Sequence, residues 1–395
     1  MIILAVAVVA VAVAMLVFAN PRRLADGAGV GAGVGVDASS EIRVSVIVPA
    51  RDEAVSLPTL LRSLAGATVA EIIVAEIIVV DDHSTDDTSA IAASFGAMVI
   101  PAPELPAGWS GKNWACATGA GAASGSHLLF LDADVQLGDN ALAELVAVHD
   151  QHGGLVSVQP FHRTERPYEE LSALFNAVAV LGSGCFTARR TDDGRAAFGP
   201  CLMIARVDYD RIGGHAAVRN EVVEDIALAL RAHDAGLPVT AWLGGRSMSF
   251  RMYPDGFRAL LQGWTKNIAM GARLAAPIPV VATVVWVAAL AAVAVALVTG
   301  SAGWANGGAP PVAAASAWLA MVLHLRWVLH RLGSFRSLTA MLYVVPLAMF
   351  IAVFIRSGWY AARGADVSWR GRTVPSRTRR PGGNTDSGDA ASRAG

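Results

Sequence analysis

A long run without charged residues constrains this chain more than any other feature. Residues Pro279 to Val298 are apolar apart from Thr283, and a run of this length can cross the hydrocarbon core of a bilayer as one helix. A second uncharged run, Ile2 to Ala19, lies at the N-terminus. Charged residues make up 16% of the chain, whereas they make up about 25% of typical soluble domains. The sequence therefore predicts a membrane protein whose apolar segments flank a central domain.

The N-terminal run predicts a transmembrane anchor over residues 1–19. A cleaved signal peptide is the alternative, but signal peptides normally begin with a positive charge, and none precedes this run. Arg22 and Arg23 follow the run closely. Because positive charges favour the inner side of a membrane, we expect the domain that follows to lie in the cytoplasm, on the face of the cell membrane.

The C-terminal part predicts a transmembrane region over residues 277–356. Pro279–Val298 and Leu338–Ile355 are candidate spans, and between them Val312–Leu323 is apolar but short. Residues 357–395 form a basic tail with a polar end that is predicted to be disordered. A cytoplasmic tail requires an even number of spans after the domain. Either the middle segment therefore lies in the membrane interface, or the charge rule is broken here.

Residues 20–42 are predicted to form a linker. From Leu24 to Ser40 they are mainly Gly, Ala and Val. The glycines do not fit Gly-x-Gly-x-x-Gly, and neither a strand before them nor a helix after them is predicted. A flexible connection is favoured over a nucleotide-binding loop.

Charge and cysteine content exclude two other classes of protein. The formal net charge is -1, so the chain has no overall basic field and no nucleic-acid partner is expected. Its three cysteines show no metal-binding spacing. This sparse, odd number indicates reduced thiols in a cytosolic domain.

The central segment, residues 43–273, has the pattern of a soluble α/β domain. Short apolar runs rich in β-branched residues alternate with helical segments, which indicates a mostly parallel sheet. The predicted strands are Val44–Val48, Ile77–Val80, Met98–Ile100 and Leu128–Leu131, and the predicted helices are Leu57–Leu64, Thr88–Phe95 and Trp114–Ala123.

A five-residue sequence occurs twice in tandem, at Ala70–Val74 and Ala75–Val79. Five is an odd number, so both copies cannot present the same face in one continuous strand. The second copy leads directly to Asp81 and Asp82. We therefore expect the second copy to form the core strand and the first to lengthen the connection before it.

Two carboxylates, Asp81 and Asp82, follow a predicted buried strand. Ligands bind at the carboxyl ends of strands in open α/β sheets, and carboxylates there can bind a ribose hydroxyl or a base N–H. Capping of the next helix is the alternative, although Ser84 or Asp86 could serve that purpose equally well.

A second acidic pair, Asp132 and Asp134, follows the strand Leu128–Leu131. Residues two apart in an extended segment point the same way. Two such carboxylates can hold a hard divalent cation and leave room for diphosphate oxygens. A solvated turn is the alternative interpretation of an isolated Asp-x-Asp triplet.

A third acidic pair, Glu224-Asp225, precedes an apolar helical run. Acidic residues at the start of a helix often only complement its dipole. A general base must instead lie in a cleft within reach of the acceptor hydroxyl, and both interpretations stay open at this point.

Together these motifs resemble glycosyltransferase family 2, whose members are inverting enzymes with the GT-A fold. The resemblance covers about Arg43 to Arg273 and implies a Rossmann-like α/β domain. Further motifs are similar to a membrane-bound branch of the family that includes carotenoid and hopanoid-associated enzymes. The segments that carry both resemblances are Val46–Glu53, Val79–Asp86, Asp132–Asp134, Glu224-Asp225, Gly108–Cys116, Arg251–Pro254, Gly263–Asn267 and Val367–Arg372.

The resemblance implies a role for each motif. Asp134, with Asp132, would bind Mg²⁺ or Mn²⁺ on the diphosphate of a nucleotide-sugar donor, and Asp225 would deprotonate a hydroxyl or carboxyl of the acceptor. The processive members carry Gln-x-x-Arg-Trp, and the Arg-Trp pair is missing after Gln262, which favours single transfers. The other residues assigned to the donor are Pro49, Ala50, Arg51, Glu53, Asp81, Asp82, Asp132 and Lys112.

Basic and aromatic residues of these motifs are candidates for the donor diphosphate and the acceptor. Lys112, Arg251 and Lys266 could neutralise the leaving diphosphate, with a surface or interfacial position as the alternative for each. Trp109, Trp114 and Trp264 could form an acceptor mouth facing the bilayer, and an aromatic belt at the membrane interface explains them as well. We assign Trp109, Trp264 and Arg251 to the acceptor or the interface.

The acceptor is expected to be lipid-like, a carotenoid or another isoprenoid, and a polyprenyl phosphate is the alternative. A nucleotidyltransferase is a rival enzyme class, but it would need a glycine-rich loop after the first strand, and Pro49 to Glu53 contain no glycine. A non-enzymatic scaffold that only binds nucleotide is the second rival. A metal-binding triplet together with a separate acidic pair argues against it.

Overall fold

The computed structural model describes residues 2–28, 42–65, 72–188, 197–221, 223–271, 277–305, 311–363, 367–369 and 372–374. Its strands are β1 (Ile42–Ala50), β2 (Ile72–Asp81), β3 (Met98–Pro101), β4 (His127–Leu131), β5 (Val135–Leu137), β6 (Leu155–Gln159), β7 (Phe161–His162), β8 (Cys201–Ala205), β9 (Val239–Leu243), β10 (Met248–Phe250), β11 (Val367–Trp369) and β12 (Arg372–Val374).

The helices alternate with these strands in the central segment and dominate both ends. They are α1 (Ile2–Val17), α2 (Leu24–Ala28), α3 (Leu57–Ala65), α4 (Thr88–Ser94), α5 (Gly111–Ala122), α6 (Ala141–His152), α7 (Ala173–Ser183), α8 (Arg206–Arg211), α9 (Glu224–Asp234), α10 (Phe257–Gly271), α11 (Pro277–Ala305), α12 (Val312–Leu332), α13 (Ser337–Met341) and α14 (Val344–Arg363). Two 3-10 helices lie at Pro167–Ser172 and Gly214–Val218.

A seven-stranded sheet of order β3-β2-β1-β4-β8-β6-β9 forms the centre of the domain. Its neighbouring strands pair in parallel except around β8, which is antiparallel to both β4 and β6. The predicted mostly parallel α/β fold is therefore confirmed. Since β1, β2 and β4 are parallel, their carboxyl ends meet at one edge of the sheet, where ligands bind in folds of this kind.

Both faces of the sheet are covered, which explains why its strands are continuously apolar. Val44, Val46 and Val48 of β1 pack on one face in the same cluster as residues of α3 and α6. Ile47 points to the other face, together with residues of α5 and α9. The alternation of side chains along β1 thus fixes which helices lie on each side.

The expectation for the tandem repeat is wrong for the described part of its first copy. Ile72–Val74 belong to β2 and pair with Ile42–Val44 of β1. The register shifts there, because Val44 faces Val74 whereas Ser45 faces Glu76. A β-bulge at Ala75 absorbs the odd residue, so both copies can run in one strand.

Part of the predicted linker is ordered. Leu24 in α2 is fully buried, and the backbone N–H of Leu243 donates to the carbonyl of Arg22 at 2.8 Å. A Cβ at Gly27 would lie within 3 Å of Val148 and Trp242, so α2 is packed closely against the domain. The flexible connection predicted for this stretch is wrong up to Ala28, and residues 29–41 lie outside the described part of the chain.

Two of the described helices are long and apolar enough to cross a membrane, Pro277–Ala302 within α11 and Val312–Leu332, which is α12. The apolar helix at the N-terminus, Ile2–Val17, is shorter. Its Ala7, Ala10 and Ala14 are buried in one cluster with residues of α7, α11, α12 and α14. The helices at the two ends of the chain therefore form one bundle.

The assignment of the middle apolar segment is corrected by the structure. The predicted short segment Val312–Leu323 continues to Leu332, because Leu325, Val328 and Leu329 are buried at helical spacing. By contrast, the predicted span Leu338–Ile355 is broken between α13 and α14.

Helices α11 and α12 leave the domain and return to it. Pro279 packs against Gly184, where an added Cβ would lie 2.6 Å from the Pro279 Cγ. After α12 the N–H of Ser334 donates to the carbonyl of His162 at 2.9 Å, and the N–H of Thr164 donates to the Ser334 hydroxyl at 2.8 Å. The helix pair thus begins and ends at the α/β domain. Residues 375–395, the polar end of the tail, lie outside the described residues.

Candidate active site

The loops after β1 and β2 are joined by hydrogen bonds at the edge of the sheet. The Arg51 guanidinium donates to the carbonyl of Asp82 at 2.8 Å and lies 3.8 Å from its carboxylate. Asp52 adopts a positive φ of 52°, a conformation that Asp tolerates better than most residues. Its carboxylate accepts from the N–H of Thr85 at 2.7 Å. These contacts fix the backbone of the first loop beside the nearly buried Asp82.

The Asp81 carboxylate forms hydrogen bonds within its own part of the chain, and these contacts do not support its assignment to the donor. Its carboxylate accepts from the N–H of Ser84 at 3.1 Å and from the hydroxyl of Ser89 at 2.5 Å. Both partners belong to the loop and helix after β2, but Asp81 does not cap the helix, whose N-cap is Asp87. Among the described residues that line the cavity at the strand ends, Asp82 is present and Asp81 is not.

Lys112 lies between two acidic pairs. Ser110 immediately precedes helix α5, and its side chain caps the helix by accepting from the N–H of Asn113 at 3.2 Å. Lys112 therefore lies in the first turn. Its Nζ is 2.8 Å from Oδ1 of Asp132 and 2.7 Å from Oε1 of Glu224. Burial alone would lower the pKa of Lys112, but the two carboxylates outweigh it and raise that pKa well above its usual value. The lysine is a fixed positive charge at the strand ends.

Asp225 has the properties of a base that works near neutral pH. It is the second residue of α9 and is half-buried. Burial and the neighbouring Glu224 raise its pKa to about 7. A Cβ at Gly199 would lie 3.3 Å from Oδ2 of Asp225 and 3.4 Å from Nζ of Lys112, so a side chain at this position would crowd both groups. A general base is most effective when its pKa is near the working pH.

Arg251 and Trp264 are held by neighbours on the other side of the cleft. The Arg251 guanidinium makes ion pairs of 2.7 Å with the fully buried Glu169 and with Glu165. Trp264 is 5% exposed, donates to the Ser172 hydroxyl at 3.0 Å and stacks on Phe175 at 4.8 Å. Both residues therefore shape the wall of the site.

One cavity of about 1880 Å³ connects these groups. Its other end is lined by apolar residues of α7, α11 and α14. Trp109, which packs edge-on against Trp114 at 4.9 Å, lies in its wall. The predicted site residues that line it are Pro49, Ala50, Arg51, Glu53, Asp82, Trp109, Lys112, Asp132, Asp134, Asp225, Arg251 and Trp264.

The residues at the strand ends fit a divalent cation of the Mg²⁺ type. Asp132 and Asp134 supply two carboxylates on the cavity wall, and Mg²⁺ is usually bound by one or two carboxylates together with substrate phosphates. The described residues contain no group of three or more His, Cys, Asp or Glu side chains that could hold a metal without a substrate. The ammonium group of Lys112 already places a positive charge next to the carboxylate of Asp132.

Sequence reasoning missed several contributions to this site. Glu224 was seen only as the partner of Asp225, and its pairing with Lys112 joins segments that are far apart in the sequence. Nothing in the sequence marks Gly199 as the residue beside Asp225. The α11 residues that line the cavity have helical spacing. However, the helix is apolar on all sides, so the sequence does not distinguish the face that lines the cavity from the others.

A mostly parallel sheet with acidic residues at its strand ends and a cleft above them is the arrangement of a ligand-binding α/β domain. The sequence profile of glycosyl transferase family 2 matches residues 45–226. A 4,4'-diaponeurosporenoate glycosyltransferase of Staphylococcus aureus is 33% identical over 336 residues, which is 83% of this chain and 87% of that protein. The chain belongs to glycosyl transferase family 2 and is a glycosyltransferase.

The chain is similar to two further proteins. A 4,4'-diaponeurosporenoate glycosyltransferase of Staphylococcus haemolyticus is 34% identical over 249 residues, 62% of this chain and 65% of that protein. A mannosyltransferase of Pyrobaculum calidifontis, solved with GDP-Man and Mn²⁺, has a similar fold. Its TM-score is 0.50 at 19% identity, and the match covers 90% of this chain and 99% of that one.

Proposed function

We propose that this protein is a membrane-bound inverting glycosyltransferase that moves a sugar from a nucleotide-sugar donor to a lipid-like acceptor of the carotenoid or isoprenoid class. The observation that carries the proposal is the single cavity, which joins the acidic strand ends to the apolar faces of α11 and α14. The names of the staphylococcal relatives support a carotenoid acceptor.

The donor would bind at the polar end of the cavity. The loop from Pro49 to Glu53 and the carboxylate of Asp82 would hold the nucleoside. Asp132 and Asp134 would hold Mg²⁺ or Mn²⁺, which neutralises the charge that develops on a leaving diphosphate. Lys112, fixed by its two carboxylates, adds a permanent positive charge beside them.

Asp225 would act on the acceptor. With a pKa of about 7, it is largely ionised slightly above neutral pH and can take the proton of an acceptor hydroxyl. The oxygen would then attack the anomeric carbon on the side opposite the diphosphate, and one displacement inverts the configuration. Diphosphate leaves without protonation, so the reaction needs no second carboxylic acid.

The electrostatics favour an acceptor that carries no phosphate. Lys112 and Arg251 are each held by two carboxylates, and Glu224 lies next to Asp225. A polyprenyl phosphate would bring further negative charge close to Glu224 and Asp225, which lie side by side at the start of α9. A hydroxyl carried by an isoprenoid chain would not.

The path of α11 and α12 supports one arrangement in the membrane. Both helices are long enough to span, and together they begin and end at the α/β domain. The domain and the basic tail would then lie on the same side. Arg22 and Arg23 favour the cytoplasm for that side, with α1 packed against both spanning helices and α14 against α11.

Comparison of lipid extracts by mass spectrometry tests the proposal. Cells that express the protein should contain lipids heavier by one sugar residue, and cells that express Asp225→Asn or lack the gene should not. Identical lipid profiles in all three strains would refute the proposed acceptor class. A phosphate in the product would instead favour a polyprenyl phosphate.

A further inference from the structure

One face of α11 forms a groove at the apolar end of the cavity. The residues that line it follow the first one at intervals of 3, 4, 7, 8 and 11 residues, which places them on a single side of the helix. Between the first and the last of them, the face is about 16 Å long at 1.5 Å per residue. They are Val280, Thr283, Val284, Val287, Ala288 and Ala291.

The groove opens sideways, between α11 and α14. Val284 on one rim is 61% exposed, and Phe354 on the other is 54% exposed. Both residues line the cavity and also lie at the surface of the helix bundle. A lipid beside this surface can therefore reach the cavity without passing through water.

The groove face of α11 ends beside a contact between α11 and the start of α14. Tyr343 is fully buried, and its hydroxyl donates to the carbonyl of Leu290 at 3.1 Å. This bond ties the start of α14 to α11 beside Ala291, the last α11 residue that lines the cavity. Small side chains at Ala288 and Ala291 leave space in the cavity next to this contact.

The hydroxyl groups in the groove wall already have partners. The Thr283 hydroxyl donates to the carbonyl of Pro279 at 2.7 Å, and the Ser183 hydroxyl donates to the carbonyl of Val180 at 2.7 Å. Neither needs a polar ligand to satisfy it. The groove thus suits a hydrocarbon along its length, while Asp225 lies at its polar end.

We infer that the hydrocarbon chain of the acceptor enters from the bilayer between Val284 and Phe354 and lies along α11, and that Ala291 sets the longest chain that fits. This inference rests on the proposed function. Because lipid tails are as apolar as the groove, moving a chain between them gives little hydrophobic gain. The groove therefore selects its acceptor by shape and length.

A matched pair of substitutions tests the entrance. Val284→Trp narrows the groove, whereas Val281→Trp changes a residue that is equally exposed, at 62%, but lies outside the cavity. Each variant in phosphatidylcholine nanodiscs would be labelled with a diazirine derivative of geranylgeraniol, with and without excess geranylgeraniol. Saturable labelling should lie on the groove face of α11 and fall about tenfold in Val284→Trp. It should stay within about twofold of wild type in Val281→Trp.

A second pair tests the length limit. Ala291→Phe should reduce saturable labelling by the geranylgeraniol probe about tenfold but leave labelling by the shorter geraniol probe unchanged. Ala292→Phe faces a separate crevice against α1 and should affect neither probe. If Ala291→Phe fails to fold, Val284→Trp still tests the groove, because Val284 is exposed and tolerates substitution.

The labelling experiment does not require sugar transfer, so it can contradict the inferred groove without contradicting the proposed function. Equal labelling of both faces of α11, or equal saturable labelling in Val284→Trp and Val281→Trp, would overturn the groove. Loss of both probes in a folded Ala291→Phe variant would overturn the length limit. Saturable labelling of the groove in a protein without transferase activity would contradict the proposed function only.

Discussion

The ionisation of Asp225 predicts the pH dependence of the reaction. Its pKa is raised from 3.8 to about 7 by burial and by Glu224. A base is active when deprotonated, so the rate should rise as the pH increases through this pKa. With a pKa of about 7, roughly 9% of the base is ionised at about pH 6 and roughly 91% at about pH 8. We expect kcat/KM to increase about tenfold over this interval.

Two variants connect the pH profile to the structure. Glu224→Gln removes a neighbouring negative charge that raises the pKa of Asp225, so the rising limb should move to lower pH. Asp225→Asn should remove the limb and lower the rate by about 10²–10⁴-fold. The assay is initial-rate transfer at constant ionic strength and saturating Mn²⁺. A flat wild-type profile from about pH 5.5 to about pH 8, or an unmoved limb in Glu224→Gln, would refute the assignment.

Three further changes have defined outcomes. Asp134→Ala should abolish the Mn²⁺-dependent part of UDP-glucose or GDP-mannose binding in calorimetry; unchanged metal dependence would exclude it as a ligand. Gly263→Ala places a methyl group 2.2 Å from the ring of Tyr253 and should lower the free energy of unfolding by about 1–3 kcal/mol. The control Gly358→Ala, which has open space around the added methyl group, should cause no measurable loss. Deleting residues 70–74 removes strand pairs of β2 and should lower the unfolding midpoint by about 2 °C or more; an unchanged midpoint would show that these pairs are dispensable.

The sequence predicted the parts of the fold that depend on local pattern. Asp82, Asp132 and Asp134 could be placed at strand ends because each follows a short, continuously apolar run, and the sheet brings those ends to one cavity. The tandem repeat was misjudged because a bulge at Ala75 depends on pairing with β1. The alternation of side chains along a single strand does not reveal such a bulge.

Contacts between distant segments were beyond sequence reasoning. Lys112 was assigned to the donor, with a surface position as the alternative, and neither expectation includes its bridge between Asp132 and Glu224. Likewise, Arg251 is held by Glu165 and Glu169. Neither pairing has a local signature, because each depends on how the chain returns to the cleft. The length of α12 was underestimated for a similar reason, since its later half is buried only by the other helices of the bundle.

Transfer of radiolabelled sugar into lipid tests the central claim most directly. The purified protein in nanodiscs would be incubated with Mn²⁺, labelled UDP-glucose or GDP-mannose, and geranylgeraniol or a carotenoid extract. We expect label in the organic phase that depends on Mn²⁺, with about 10²–10⁴-fold less for Asp225→Asn. Label that is released only as free sugar, or equal lipid labelling by wild type and Asp225→Asn, would contradict the account.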